Sequence, residues 1–217
     1  MKKFRAVIFD LDGTLIYSIP DIADSMNKIL HEHGFPVYGC EQYRYFLGNG
    51  IKRLVETCIP ETHRTAENIE LLYSRMTEEY MANCTNKTVV YEGIFELLET
   101  LQQKGIKLAI LSNKADEITQ KTCAILLKPV QFDMTVGASD RFPKKPDPAA
   151  ALYIAGQISV SPDKIFYLGD TSIDMKTAIA AGFFPAGAEW GFRDAKELTA
   201  SGARFIAKKP DDCLRFF

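Results

Sequence analysis

At 217 residues, 47% hydrophobic and 25% charged, the chain is long enough to bury a full hydrophobic core and has the make-up of a folded globular protein rather than a disordered or fibrous one. Its 26 basic and 28 acidic residues leave a formal charge of -2 and are interspersed throughout, so no concentrated basic face points to a nucleic-acid partner. Five cysteines (Cys40, Cys58, Cys84, Cys123 and Cys213), odd in number and with no pair at CxxC spacing, argue against a disulfide framework or a zinc site.

The chain opens on Met1-Lys2-Lys3-Phe4-Arg5 before an apolar run, a superficial likeness to a secretory signal. The run stops at Asp10, far short of a signal core, and no small-residue cleavage site follows. With no segment of membrane-spanning length, a cytoplasmic protein without a membrane partner is expected. Residues 4–9 are continuously apolar and β-prone, the pattern of a strand buried on both faces in a parallel sheet. From 18 to 87 the pattern turns helical: Ile22, Met26, Ile29 and Leu30, then Ile51, Leu54, Val55 and Cys58 after a Gly48-Asn49-Gly50 turn, then Ile69, Leu72, Tyr73, Met76 and Tyr80. His31, His33 and His63 fall in this block with no third metal ligand evident beside them. From 88 onward helix and strand alternate. Helices are predicted at 94–101 (ended by Lys104-Gly105), 116–127, 148–157 and 173–181. Strands are predicted at 107–111, 134–136, 165–168 and 185–187. This alternation predicts an α/β, Rossmann-like parallel sheet with helices on both faces, built from residues 1–17 and 88–217, with a helical domain of residues 18–87 inserted after the first strand.

Four short stretches stand at the predicted carboxyl ends of strands or in the loops beyond them. Asp10-Leu11-Asp12-Gly13-Thr14-Leu15 sets two carboxylates two residues apart. Leu111-Ser112-Asn113 offers a hydroxyl and an amide that suit either an anion or a helix N-cap. Lys144-Lys145-Pro146-Asp147-Pro148 holds a cation rigid between prolines, either for a phosphate oxygen or as an exposed basic loop. Leu168-Gly169-Asp170-Thr171-Ser172-Ile173-Asp174 repeats the carboxylate pair, although Asp174 alone would suit a helix N-terminus. In a parallel sheet all carboxyl ends share one edge, so these groups converge. Such a cluster of hard oxygen donors repels itself without a cation and suits Mg2+ rather than zinc.

In order and content these motifs resemble the haloacid dehalogenase-like hydrolase superfamily: DxDGT, a Ser after the second strand, a Lys before Pro, and GDxxxD. The helical insert is similar to that superfamily's C1-type cap, and Asn113-Lys114, Lys145-Pro146-Asp147-Pro148 and Trp190-Gly191-Phe192 resemble its phosphoglycolate phosphatase-like branch. The resemblance implies a phosphoric monoester hydrolase acting on a small-molecule phosphate ester. Asp10 would be the nucleophile and Asp12 the general acid-base. The carboxylates of Asp10 and Asp170 and the carbonyl of Asp12 would hold Mg2+, with Asp174 positioning Lys145 or a metal-bound water. Thr14, Ser112, Asn113 and Lys145 would bind phosphate; Lys144 competes for the lysine role, and Lys145 is preferred because Pro146 follows it. Asn49, Lys52 and Arg53 would form the cap's substrate loop.

An Asp at position 12 argues for an oxygen leaving group, since a departing halide needs no acid, and so against a dehalogenase. The alternatives carried forward are a phosphosugar mutase on the same core, which would pass the phosphate to a second hydroxyl, and a non-catalytic binding protein on the same fold. The motifs imply neither a particular substrate nor an oligomeric state.

Overall fold

The computed structural model describes residues 4–217; residues 1–3, the basic start of the signal-like segment, lie outside it. The chain divides into two compact units: one runs to Tyr17 and resumes at Val90, and the other is Ser18–Val89.

The first unit begins with β1 (Ala6–Phe9) and the short β2 (Ile16–Tyr17). The second holds four helices: α1 (Ile19–Glu32), α2 (Cys40–Phe46), α3 (Ile51–Cys58) and α4 (Ala66–Asn83). The apolar spacing read from the sequence gives their buried faces: Ile22, Met26, Ile29 and Leu30 on α1, Leu54, Val55 and Cys58 on α3, and Leu72, Met76 and Tyr80 on α4. The unit is tied at its base by Asp21. This buried carboxylate accepts from the Lys87 N–H, the Thr88 N–H and the Thr88 hydroxyl, at 2.6–3.0 Å. Helix α2 was not anticipated, because Tyr43 is its only buried residue and no apolar period marks it.

From β3 (Val89–Val90) the first unit resumes with α5 (Ile94–Gln103), β4 (Lys107–Ala115), α6 (Asp116–Leu126), β5 (Met134–Ala138), α7 (Ala149–Gln157), β6 (Ile165–Gly169), α8 (Ser172–Ala180), β7 (Phe184–Ala188), α9 (Ala195–Ala200) and β8 (Phe205–Ala207). Six strands pair in the order β5-β4-β1-β6-β7-β8, all parallel. Strand alternation sends residues to two cores. Val7, Phe9, Leu108, Ile110, Phe166 and Leu168 join Ile94, Leu97, Leu98 and Leu101 of α5 on one face. Ala6, Ile8, Ala109, Leu111, Ile165 and Tyr167 join Ala150, Ala151 and Ile154 of α7 and Ala178 of α8 on the other. β1 lies between β4 and β6, so the chain's crossovers leave in opposite directions from beside it, where an open α/β sheet forms its ligand crevice.

Two differences from the sequence reading matter. β4 runs on to Ala115 instead of stopping at Leu111, with an irregular register between those two residues. The C-terminal elements α9 and β8 and the last 3-10 turn (Pro210–Phe216) were not anticipated, being too short to show a period. No described helix is long and apolar enough to cross a membrane.

Candidate active site

Asp10 stands one residue beyond β1, and its N–H continues the sheet by donating to the Leu168 carbonyl at 2.9 Å. Its Oδ1 accepts from Lys145 Nζ at 2.7 Å. The same ammonium donates to Asp174 Oδ1 at 2.7 Å and to the Leu111 carbonyl at 3.1 Å, so each of its three protons has an acceptor. The Lys145 side chain is 4% exposed, whereas Lys144 points to solvent, which places only the second lysine of the proline-rich loop at the site. Asn113 fastens that loop: its Oδ1 accepts the Lys145 N–H at 2.8 Å and its Nδ2 donates to the Lys145 carbonyl at 3.1 Å.

Asp174 closes the first turn of α8 as a capping box, its Oδ2 accepting from the Thr171 N–H and hydroxyl at 3.1 and 2.6 Å. Its Oδ1 also receives the buried Tyr167 hydroxyl at 3.3 Å. Asp170 follows β6 and is fully buried; its Oδ2 accepts the Phe192 N–H at 2.7 Å, and the Thr14 hydroxyl lies 3.4 Å from its Oδ1. The loop after β7 sits against this group. Trp190 donates its indole N–H to the Thr14 carbonyl at 3.0 Å, and a Cβ on Gly191 would stand 2.3 Å from Asp170 Cβ and 2.4 Å from the Gly13 carbonyl oxygen, so only glycine fits.

One carboxylate oxygen each from Asp10, Asp170 and Asp174 lies within 4.8 Å of the others. Three carboxylates thus cluster about one ammonium, with Asp170 and Asp174 buried and Asp10 keeping 7% exposure. Burial first, and then the charge of Asp174, push the Asp10 carboxyl up to about 7 in spite of Lys145. Burial and the charges of Asp10 and Asp174 push Asp170 well above the carboxylate range. Burial by itself would lower Lys145, but the attraction of Asp10 and Asp174 outweighs it and holds the ammonium well above its ordinary value. The imbalance fits a bound cation: Lys145 is shared between Asp10 and Asp174, and neither of the described contacts to Asp170 carries a positive charge. Hard oxygen donors at this spacing can hold a divalent metal.

The remaining expected residues fall as follows. The Asp12 carboxylate is not in the acidic cluster; its Oδ1 pairs with Lys114 Nζ at 2.7 Å. The Ser112 hydroxyl accepts the Lys114 N–H at 3.2 Å, which leaves its own proton to donate elsewhere. Thr14 is fully buried and turned to Asp170. In the helical unit Asn49 is exposed in the turn before α3, Lys52 pairs with Glu70, and Arg53 pairs with Glu56 at 2.9 Å. Sequence reasoning assigned no role to Lys114, Tyr167, Trp190 or Phe192, although each bonds a site residue. The signal for Tyr167 and Lys114 was present: each is a polar group set among buried strand residues.

A family model described as haloacid dehalogenase-like hydrolase matches residues 7–188. The chain belongs to this family. The hydrolase is 33% identical over 211 residues to a phosphoglycolate phosphatase of Aquifex aeolicus, covering 97% of this chain and 95% of the relative. It is 31% identical to a phosphoglycolate phosphatase of Pseudomonas putida over 93% of this chain and 75% of that one. Among solved structures, a predicted phosphoglycolate phosphatase from Haemophilus somnus superposes with a TM-score of 0.90 at 27% identity, covering 99% of this chain and 98% of the other.

Proposed function

We propose that the hydrolase is a Mg2+-dependent phosphatase that cleaves a small phosphomonoester, phosphoglycolate or a close analogue, by way of a phosphoryl group carried on Asp10. The observation that carries this reading is the buried Asp10 carboxylate, held at 2.7 Å by Lys145 and grouped within 4.8 Å with Asp170 and Asp174. In the first half-reaction an Asp10 oxygen bonds to phosphorus and the ester P–O bond breaks. The electron pair leaves on the alkoxide oxygen, which takes a proton from Asp12. In the second, water attacks the same phosphorus and gives its proton to Asp12; the bond to Asp10 breaks, restoring the carboxylate and releasing inorganic phosphate.

Ser112 holds one phosphoryl oxygen and Lys145 another, by turning to the ester the proton it gives to Asp10 Oδ1, while Asn113 and Asp174 keep Lys145 in place and Thr14 supports Asp170. Mg2+, held by the carboxylates of Asp10 and Asp170 and the carbonyl of Asp12, supplies the charge neutralisation that lets an anionic nucleophile meet an anionic phosphate. The names of the Aquifex and Pseudomonas relatives support a phosphatase and a small substrate. We assign choice of substrate to the helical unit, with Asn49, Lys52 and Arg53 as its candidate residues. The free thiols, three of them buried, support a reducing compartment such as the cytoplasm. The test is phosphate release across a panel of small esters with Mg2+ and with chelator. Release from at least one ester, abolished by chelator and by Asp10→Asn, is expected; release that persists in Asp10→Asn would sink the reading.

A further inference from the structure

Lys114 is a buried cation that the mechanism above does not use. Its side chain is 3% exposed, against 19% for Asp12, whose Oδ1 it contacts at 2.7 Å. The lysine is therefore sealed behind the acid-base carboxylate, and lysine is seldom buried so completely without a specific partner. Its backbone is fastened on both sides: the N–H donates to Ser112 Oγ at 3.2 Å and the carbonyl accepts from Thr119 Oγ1 at 3.1 Å. The placement comes from the irregular end of β4, where four residues of β4 advance against two of β5 between the Leu111–Val136 and Ala115–Ala138 pairs. Gly137 makes room for that bulge, since a Cβ there would come within 2.8 Å of the Lys114 carbonyl oxygen and 2.5 Å of Asp116 Cα.

We propose that Lys114 is a positioning residue for Asp12: by holding Oδ1 it fixes the carboxyl plane and leaves Oδ2 as the oxygen that carries the proton to and from the leaving group. A carboxyl group protonated on Oδ2 still accepts at Oδ1, so the contact persists through both half-reactions. The proposal rests on the phosphatase reading and is tested apart from it by leaving-group dependence. 4-Nitrophenolate departs without a proton, whereas an alkoxide needs one. In Lys114→Met and Lys114→Gln, kcat/KM for phosphoglycolate and for glycerol phosphate should both fall about 100-fold or more, the scale of general-acid assistance. For 4-nitrophenyl phosphate kcat/KM should fall no more than about threefold, which also shows the site to be folded, and Lys114→Arg should recover part of the alkyl-ester loss. Equal losses on aryl and alkyl esters in both variants, or no loss on either, would overturn the proposal. So would a loss confined to phosphoglycolate, which would make Lys114 a binder of the substrate carboxylate. If the unaltered protein hydrolyses none of the three esters with Mg2+, the phosphatase reading itself fails, and this one with it.

Discussion

Replacing Lys145 with methionine keeps most of the side chain's bulk and removes its charge. Asp10 Oδ1 and Asp174 Oδ1, each 2.7 Å from the ammonium, and the Leu111 carbonyl at 3.1 Å would lose their donor together. Removing one member of a buried ion pair costs about 3–5 kcal/mol, because the remaining charge is stranded. Here the stranded charge has an escape. Asp10 already stands at about 7, against an ordinary 3.8, through burial and the neighbouring Asp174 charge. A carboxyl raised in the folded state contributes stability that is complete below the unfolded value and is lost as pH climbs through the folded one. Without Lys145 the folded value moves higher still, so the variant keeps a proton on Asp10 where the unfolded chain does not. The penalty should therefore be smaller at pH 5.5, where folded Asp10 is protonated in both proteins and Asp174 alone loses its charged partner, and largest at pH 8. With a urea m-value of about 2–3 kcal/mol/M, the pH 8 penalty corresponds to a midpoint lowered by about 1–2.5 M. Urea unfolding in chelator at both pH values gives the answer, and Asp10→Asn added to Lys145→Met should recover at least half the loss at pH 8. Equal midpoints for the variant and the unaltered protein at pH 8, or the same shift at both pH values, would refute the reasoning.

On the proposed reading, in which Asp10 and Asp170 hold Mg2+, the ion should raise the melting temperature more at pH 8 than at pH 5.5, because protons compete with it for these carboxylates; thermal unfolding with and without Mg2+ at each pH checks this. Gly191→Ala forces a methyl group to within 2.3 Å of Asp170 Cβ, so it should cost about 1–3 kcal/mol of stability and weaken Mg2+ binding, both measurable by titration and denaturation. Asp21→Asn replaces an acceptor-only group that faces three donors, and should cost about 1–3 kcal/mol; faster hydrogen exchange at the Lys87 and Thr88 amides is the readout.

Much of the architecture could be read from local pattern. The apolar runs ending at Asp10, Leu111 and Leu168 predicted strands buried on both faces, and β1, β4 and β6 are adjacent and parallel. Parallel strands put their carboxyl ends on one edge, so the alternation of elements implies the convergence of Asp10, Lys145, Asp170 and Asp174; the Asp12 carboxylate, expected among them, pairs with Lys114 instead. Helix faces such as Met26 on α1 and Leu97 on α5 were legible for the same reason: burial imposes a period on the chain. Elements too short to show a period, such as α2 and β8, were not.

What the chain determined by itself was therefore the set of chemical groups and the sheet edge at which they meet. The proline after Lys145 already favoured it over Lys144, but tertiary structure alone decided that both ends of the Asn113 carboxamide are spent on Lys145 and that Lys114 backs Asp12. It also decided that the loop after β7 braces Asp170 and Thr14. The physical reason is range. Burial and periodicity act between residues a few places apart, whereas the Lys114–Asp12 and Trp190–Thr14 contacts join residues 102 and 176 positions apart, and their geometry exists only once the sheet has assembled.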